Sequence, residues 1–218
     1  MNVLSTKNMQ KLELNDKVLD RFEKQLKKIW VGMNSQRKAR PVLSELNYHD
    51  NGSIEITNSH VAIRLKDVHN LTDVKNENGN YPTGLSKIFD GLNNDCISFF
   101  TINKKDMREL EKQLNVMYRF LKSANNTIAI EFDQSGVTIV PVEDETLIRV
   151  KVDMDLNINN EEKITRYLNA RYLHDALMMF RQLGLSEVEF KISENVFRPI
   201  LLTSQNLEYI ITPIRYNK

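Results

Sequence analysis

The chain of 218 residues has little of what marks several common protein classes. Its single cysteine, Cys96, excludes a disulfide framework and a cysteine-based zinc cluster. It has no long apolar run, and its first residues lack the apolar stretch of a signal peptide, so we expect a cytoplasmic protein. With 41% hydrophobic and 27% charged residues, its composition is that of an ordinary globular protein.

Sequence signals of catalysis are also missing. No Gly-rich phosphate loop, nucleophile elbow or metal-ligand spacing occurs. The four histidines, His49, His60, His69 and His174, are scattered along the chain, and we interpret them as surface or capping residues. The acidic run at 143–145 falls in a predicted turn, which favours a solvated loop over a carboxylate site. The sequence therefore predicts no enzyme activity, no cofactor and no metal.

An excess of charge of one sign, which would favour a polyanion as partner, is absent too. The chain has 30 Lys and Arg against 29 Asp and Glu, a formal net charge of +1. However, affinity for phosphate depends on where the charges lie rather than on their sum. The distribution of basic residues over the predicted elements is therefore a better guide to a polyanionic partner than the net charge is.

What the sequence does contain is three amphipathic helices, each followed by short strands. The helices are predicted at residues 15–33, from Asn103 to about 121, and at 170–183. Strands are predicted at 42–48, 54–57, 60–65, 96–102, 127–132, 137–142, 146–154, 162–168, 187–193, 199–203 and 209–214. The polar segment 67–80 is the best candidate for a linker. We therefore expect an α+β protein in which one βαβββ-type unit is used three times.

Two of these helices carry a row of basic residues opposite the apolar face, at spacings of three and four. The rows consist of Lys17, Arg21, Lys24 and Lys28 on the first helix, and of Arg108, Lys112, Arg119 and Lys122 on the second, where the polar Asn115 completes the spacing. The third helix has a weaker row of Arg171, His174 and Arg181. Such rows suit contact with successive phosphates. For a single helix, a solvated surface explains such a row better than contact with phosphates does. Two rows on equivalent helices make the two explanations about equally good.

Several short stretches of the chain, in the same order, resemble the DNA polymerase III beta subunits of bacteria, the sliding clamps. The matching stretches are residues 40–46, 52–60, 79–82, 168–177, 198–200 and 209–215. The first two are similar to an Arg-Pro-x-Leu strand, a Gly turn and a Thr-Asp-x-x-Arg-Leu segment of the middle clamp domain. Residues 168–177 are similar to the last clamp helix, which opens Asn-x-x-Tyr-Leu-x-x-Ala-Leu. The resemblance covers most of the chain from about residue 15 onward.

This resemblance implies a ring of βαβββ units, the DNA-clamp fold, in which helices line a central hole and face DNA while sheets form the outer wall. A bacterial clamp chain has three domains of two units each. Here we count three units, residues 1–78 as a partial domain and 79–218 as a complete one. Closing a ring of about twelve units would take about four copies. If residues 81–93 conceal a fourth unit, three copies would suffice; a monomer or an open assembly is the remaining alternative.

The resemblance also implies a groove for the peptides of partner proteins, between the second and third clamp domains. The positions that match it are Thr57, His60, Val61, Ala62, Pro213, Ile214 and Arg215. Val61 stands where the family usually has Arg. The peptide preference of the groove therefore need not be that of a cellular clamp.

Together these observations predict a DNA sliding clamp or processivity factor, encoded by a phage or mobile element. It would encircle double-stranded DNA without reading its sequence and tether a DNA polymerase; a clamp loader is a further candidate partner. The predicted DNA contacts are the two basic rows and Arg171. The alternative is a clamp-derived protein that does not encircle DNA and instead binds host replication proteins.

Overall fold

The computed structural model describes residues 40–70, 79–121, 126–142, 149–153 and 163–216, which form two antiparallel sheets and three helices. The helices are α1 (Leu85–Asp95), α2 (Lys104–Phe120) and α3 (Ala170–Gln182), and a 3-10 turn spans Pro41–Ser44. The strands are β1 (Asn47–Tyr48), β2 (Ile54–Thr57), β3 (Val61–Leu65), β4 (Ile97–Asn103), β5 (Thr127–Asp133), β6 (Gly136–Pro141), β7 (Val150–Asp153), β8 (Ile164–Asn169), β9 (Glu187–Ile192), β10 (Ile200–Ser204) and β11 (Leu207–Ile211). The α+β prediction is confirmed.

Residues 97–211 contain the same arrangement of elements twice, as β4-α2-β5-β6-β7 and as β8-α3-β9-β10-β11. Each unit gives its first strand to the sheet of the other, because β4 pairs with β9 and β8 pairs with β5. One sheet has the order β7-β6-β5-β8. The other continues through β11 into the three strands that precede α1, in the order β1-β2-β3-β11-β10-β9-β4.

Helices cover both faces of the seven-stranded sheet. On one face, alternate residues such as Ile63, Leu202 and Tyr209 join the main core together with the apolar sides of α2 and α3. On the opposite face, Ala62 and Ile210 join a second, smaller core beneath α1. The alternation of strand side chains thus places α1 on the far side of the sheet from α2 and α3.

Helices α2 and α3 begin where the sequence predicts. The Asn103 side chain accepts hydrogen bonds from the backbone N–H of Lys105 and Asp106 at 2.8 and 3.0 Å, which satisfies two of the unpaired donors of the first turn. Asn169 caps α3 with one such bond, from the Arg171 N–H at 2.9 Å. At the far end of α3, Gly184 has a φ of +85°, a left-handed conformation that ends the helix.

The sequence prediction is wrong in two places near the N-terminal side. A strand was expected at 42–48, whereas the chain makes a 3-10 turn at Pro41–Ser44 and only then enters the two-residue strand β1. Proline has no N–H for a sheet and fits the first position of a helical turn. Helix α1 was not predicted at all. The helix expected at 15–33 lies outside the described residues.

Four charged side chains form a cluster between α1 and the face of the seven-stranded sheet that α1 covers. Glu55, Arg64 and Glu208 stand directly opposite one another on β2, β3 and β11. The Arg64 guanidinium donates to Glu208 at 2.5 Å and to Asp90 of α1 at 2.7 Å, and lies 4.6 Å from the centre of the Phe89 ring. Glu55 and Glu208 are each 1% exposed, so the charges on the sheet are buried, whereas the side chain of Asp90 on α1 is 64% exposed.

One buried polar atom is left over in the main core, the hydroxyl of Tyr209. The side chain is fully buried, and its oxygen has no hydrogen-bond partner among the described residues. Tyr209→Phe is therefore expected to raise the free energy of unfolding by about 1 kcal/mol, measured by urea denaturation. The matched control is Tyr81→Phe, because the Tyr81 hydroxyl accepts from the Thr57 N–H at 2.8 Å. Equal losses of stability in both variants would contradict this account.

Candidate nucleic-acid interface and partner groove

The solvent side of α2 is predominantly basic. Met107, Leu110, Leu114 and Met117 are buried on its inner side. Arg108, Lys112 and Arg119 of the predicted row are all exposed on the other side. Two acidic residues moderate this surface: Asp106 in the first turn, and Glu109, which accepts a hydrogen bond from Lys112 at 3.2 Å. A hydrogen bond from Gln113 and the one from Lys112 lower the pKa of the Glu109 carboxyl.

The first turn of α2 adds two basic residues that the sequence prediction missed, Lys104 and Lys105. Both are exposed and border a broad concavity of about 880 Å³. The other residues around it are Asp106, Arg108, Glu109, Lys112, Val152, Asp153 and Arg181. A signal for one of them was present, because Lys104 lies four residues before Arg108 and so continues the same row.

Helix α3 contributes less positive charge than its sequence indicates. Arg171 is exposed, with its Nε 3.6 Å from the Asp175 carboxylate. His174 is buried, and its ring packs edge-on against Tyr118 of α2. Arg181 donates two hydrogen bonds to Glu111 of α2, the longer of 2.9 Å. His174 and Arg181 therefore hold α2 and α3 together in antiparallel orientation and do not extend the basic row.

The described residues include only part of the predicted basic rows. Arg108, Lys112, Arg119 and Arg171 lie on α2 and α3. The remaining positions are outside the described residues: Lys17, Arg21, Lys24, Lys28 and Lys122.

Among the described residues no group of three or more His, Cys, Asp or Glu side chains is arranged to hold a metal ion. Nor does any described helix have the length and apolar character needed to cross a membrane.

A mostly apolar groove of about 290 Å³ lies beside α1, on the face of the seven-stranded sheet that faces away from α2 and α3. Four of the positions predicted for it, Thr57, His60, Val61 and Ala62, line its wall. The rest of the lining is Arg40, Leu43, Ser59, Pro82, Gly84, Leu85, Ile88, Pro199, Ile210 and Thr212. Ile88 is 49% exposed although it is large and apolar. An apolar cleft with a few polar groups at its rim suits an apolar peptide side chain.

The three C-terminal positions predicted for the groove do not line it. The chain passes the groove at Thr212, whose N–H and hydroxyl both donate to the His60 carbonyl at 2.9 Å. Beyond it, the Ile214 N–H donates to the Tyr167 carbonyl at 2.8 Å. Arg215 lies over the Phe197 ring, 5.7 Å from its centre. Pro213, which lies between Thr212 and Ile214, is half-buried.

Helix α1 supplies the groove wall that the sequence prediction missed. Tyr81 fixes the chain just before α1 to the sheet. Its side chain is buried, and its hydroxyl accepts a hydrogen bond from the backbone N–H of Thr57 on β2. Leu85, Ile88 and Leu92 follow at spacings of three and four, so an apolar row was present in the sequence. The helix lacks a side-chain cap and an acidic first turn, the signals that mark the start of a helix.

Neither a protein-family model nor a curated protein sequence matches the chain. Solved structures of bacterial clamps do match it. One is the beta clamp of Helicobacter pylori bound to a DNA ligase peptide, with 20% identity over 75% of this chain and 40% of the clamp and a TM-score of 0.51. Another is the sliding clamp of Bartonella birtlesii bound to griselimycin, with 14% identity over 82% and 60% and a TM-score of 0.63. The clamp of Bacillus subtilis has 16% identity over 83% and 58%, with a TM-score of 0.60.

The chain thus spans 40 to 60% of the length of these three clamps. At such low sequence identity the matches establish the fold. In this chain the matching fold contains the β-α-β-β-β unit twice, with its strands in two antiparallel sheets. The protein has the DNA-clamp fold, that of the DNA polymerase III beta subunits.

Proposed function

We propose that this protein is a clamp-like processivity factor that encircles duplex DNA as a homo-oligomeric ring and tethers a DNA polymerase. The observation that carries the proposal is the separation of two surfaces by the seven-stranded sheet. The basic side of α2 lies on one side of the sheet, and the groove beside α1 lies on the other. A protein can then hold DNA and a partner at the same time.

The DNA contacts would be ionic and independent of sequence. Arg108, Lys112 and Arg119 project from one helix at a spacing that follows a row of phosphates, and Lys104 and Lys105 extend this surface. Each phosphate contact contributes a salt-sensitive increment of affinity. Several weak contacts on a closed ring permit sliding, because no single contact fixes the position along the duplex. Lys17, Arg21, Lys24, Lys28, Lys122 and Arg171 belong to the same proposed lining.

The groove would bind a short peptide of the partner with apolar side chains. Leu43, Ala62, Leu85 and Ile210 form its apolar base, and Ile88 stands exposed beside it. Holding the polymerase on a ring that cannot leave the DNA raises the local concentration of the polymerase at the primer end. In this mechanism the protein itself carries out no chemical reaction. A clamp loader that opens the ring is a further candidate partner.

We propose four copies for the ring. A ring of about twelve units needs about four chains of three units each. The alternative of three copies requires a fourth unit at 81–93. These residues instead form a short irregular segment at 81–84 followed by most of α1, and they contribute no strand. The proposed boundary between the partial domain and the complete one stays at 78/79. Light scattering of the purified protein, with and without DNA, is the test, and a strict monomer in both would contradict the proposal.

The groove makes a second testable prediction. Ile88→Glu replaces an apolar side chain at the rim of a mostly apolar cleft with a carboxylate, which loses hydration when a peptide binds. Peptides selected on the wild-type protein from a displayed library are expected to bind this variant at least about tenfold more weakly. Val116→Glu is the matched control, because Val116 is similarly exposed at 43% but lies on α2. Equal binding by both variants would place the peptide site elsewhere.

A second candidate function is a clamp-derived protein that binds host replication proteins without encircling DNA. It is favoured by Val61, which stands where the clamp family usually has Arg. A monomer that binds a host polymerase or clamp but not DNA would support it. A closed oligomer would support the ring.

A further inference from the structure

The polar residues in the wall of the groove beside α1 are bonded to one another. The Thr57 hydroxyl donates to the Val61 carbonyl at 2.7 Å and accepts from the Ser59 N–H at 3.0 Å. The Thr212 hydroxyl donates to the His60 carbonyl at 2.9 Å. Because these hydroxyl groups are already satisfied, the apolar base and the other side chains of the rim decide which peptide fits.

The rim has a positive charge that no acidic residue balances. Arg40 is the one residue of the described lining with a permanent charge, and none of the described lining residues is Asp or Glu. Arg40 is exposed, and no described residue forms an ion pair with it. The two carboxylates of the neighbouring helix α1, Asp90 and Asp95, pair with Arg64 and Arg198 instead. The groove is therefore complementary in charge to an acidic ligand.

The position of Arg40 brings this charge next to the apolar base. Arg40 immediately precedes the 3-10 turn Pro41–Ser44, and Leu43 of this turn lines the groove as well. The Leu43 N–H donates to the Arg40 carbonyl at 3.1 Å, which fixes the two residues on one turn. Neighbouring residues of a peptide are only about 3.8 Å apart. A peptide whose apolar side chain fills the base thus has its next residue within reach of the Arg40 side chain.

We propose that the groove selects peptides in which Asp or Glu lies next to the apolar residue that fills it, and that Arg40 recognises this carboxylate. A guanidinium can donate two parallel hydrogen bonds to one carboxylate. With Val61 at the position where the clamp family usually has Arg, Arg40 is the only arginine of the described lining. The inference rests on the proposed peptide groove and names the class of peptide that it takes.

A charge exchange between protein and peptide tests this recognition. Peptides selected on the full-length wild-type protein from a displayed random library are expected to carry Asp or Glu beside a large apolar residue. They are then synthesised with amidated C-termini, so that only side chains supply carboxylates. Arg40→Glu is expected to bind them at least about fivefold more weakly than the wild type, measured by fluorescence anisotropy. Peptides with Lys in place of the acid should bind the wild type weakly and Arg40→Glu within about threefold of the original pair.

Lys151→Glu is the matched control. It makes the same change in net charge at an exposed position of β7, in the other sheet, and should bind the selected peptides like the wild type. The Arg40 side chain makes no capping hydrogen bond to the 3-10 turn, so its replacement leaves the turn intact. Thermal unfolding of each variant confirms that it is folded.

Three results would overturn the proposal: selected peptides without acidic residues, equal weakening by Arg40→Glu and Lys151→Glu, and no recovery with the Lys peptides. Binding that is lost on amidation alone would overturn it too, because the ligand would then be a C-terminal carboxylate. Peptides that are weakened by Ile88→Glu but not by Arg40→Glu would leave the proposed groove standing and refute only the role of Arg40. A library that yields no binder would contradict both.

Discussion

Replacement of Arg64 by Ala is expected to lower the free energy of unfolding by about 3–5 kcal/mol. The guanidinium is the charge that faces Glu208, whose side chain is 2% exposed, and it also lies 3.8 Å from buried Glu55. Lys66 remains beside Glu208 at 2.8 Å, but its own side chain is 39% exposed. Truncation of Arg64 therefore leaves two buried carboxylates with less compensation than before, and removes the link to Asp90 on α1.

The same substitution is expected to change the dependence of stability on pH. Burial alone would raise the pKa of Glu208, but hydrogen bonds from Arg64 and Lys66 lower it below the ordinary value of 4.5. In the wild type this carboxylate therefore contributes stability above pH 4.5, and the contribution is lost as the pH falls through the lowered pKa. The difference in stability between wild type and Arg64→Ala should shrink as the pH falls below 4.5.

Urea denaturation across this pH range measures both effects. Arg198→Ala is the matched control, because it removes an arginine from an exposed pair with Asp95 at 3.2 Å, in which both side chains are about half exposed. Such a pair contributes about 0–1 kcal/mol. If Arg64→Ala costs no more than Arg198→Ala, the buried cluster does not hold α1 on the sheet. The groove, which α1 completes, would then need another explanation for its stability.

Reversal of two charges on α2 is the second prediction with a large expected effect. Arg108→Glu with Lys112→Glu removes two proposed phosphate contacts and adds two negative charges on the same surface. The slope of log affinity against log salt is expected to become shallower by about two, since each phosphate contact contributes about 0.9 to it. Affinity for duplex DNA at low salt should fall at least about tenfold, measured by fluorescence anisotropy.

A control with the same net charge separates position from total charge. Lys87 on α1 and Arg198 before β10 are both exposed, and α1 lies on the far side of the sheet from α2. Lys87→Glu with Arg198→Glu should retain the wild-type salt slope. Equal effects of the two double variants would mean that DNA responds to overall charge and not to a lining of helices.

The parts of the fold that the sequence predicts are those whose signals are local. Asn103 and Asn169 cap their helices with their own side chains, and Gly136 and Gly52 end turns between strands of regular alternation. Gly52 has a φ of +83°, and a Cβ there would lie 2.7 Å from the His69 carbonyl oxygen, so a glycine is required. Signals of this kind survive in a single sequence because they depend on few neighbours.

The site was harder to predict because it depends on pairing between distant strands. His60 and Thr212 are 152 residues apart, and only the pairing of β3 with β11 brings them together at the groove. Ile88 joins them from a helix that has no cap of its own. Likewise, the spacing of His174 and Arg181 suits an exposed row, but the packing of α3 against α2 turns both toward that interface.

The central claim, a ring around duplex DNA, is tested most directly by retention that depends on the ends of the DNA. The protein is bound to a linear duplex at low salt, both ends are then blocked with a bulky protein, and the salt is raised until ionic binding is lost. The account predicts that protein remains on the blocked duplex and leaves when the duplex is cut in the middle. Equal release from blocked and open DNA at the higher salt would contradict it.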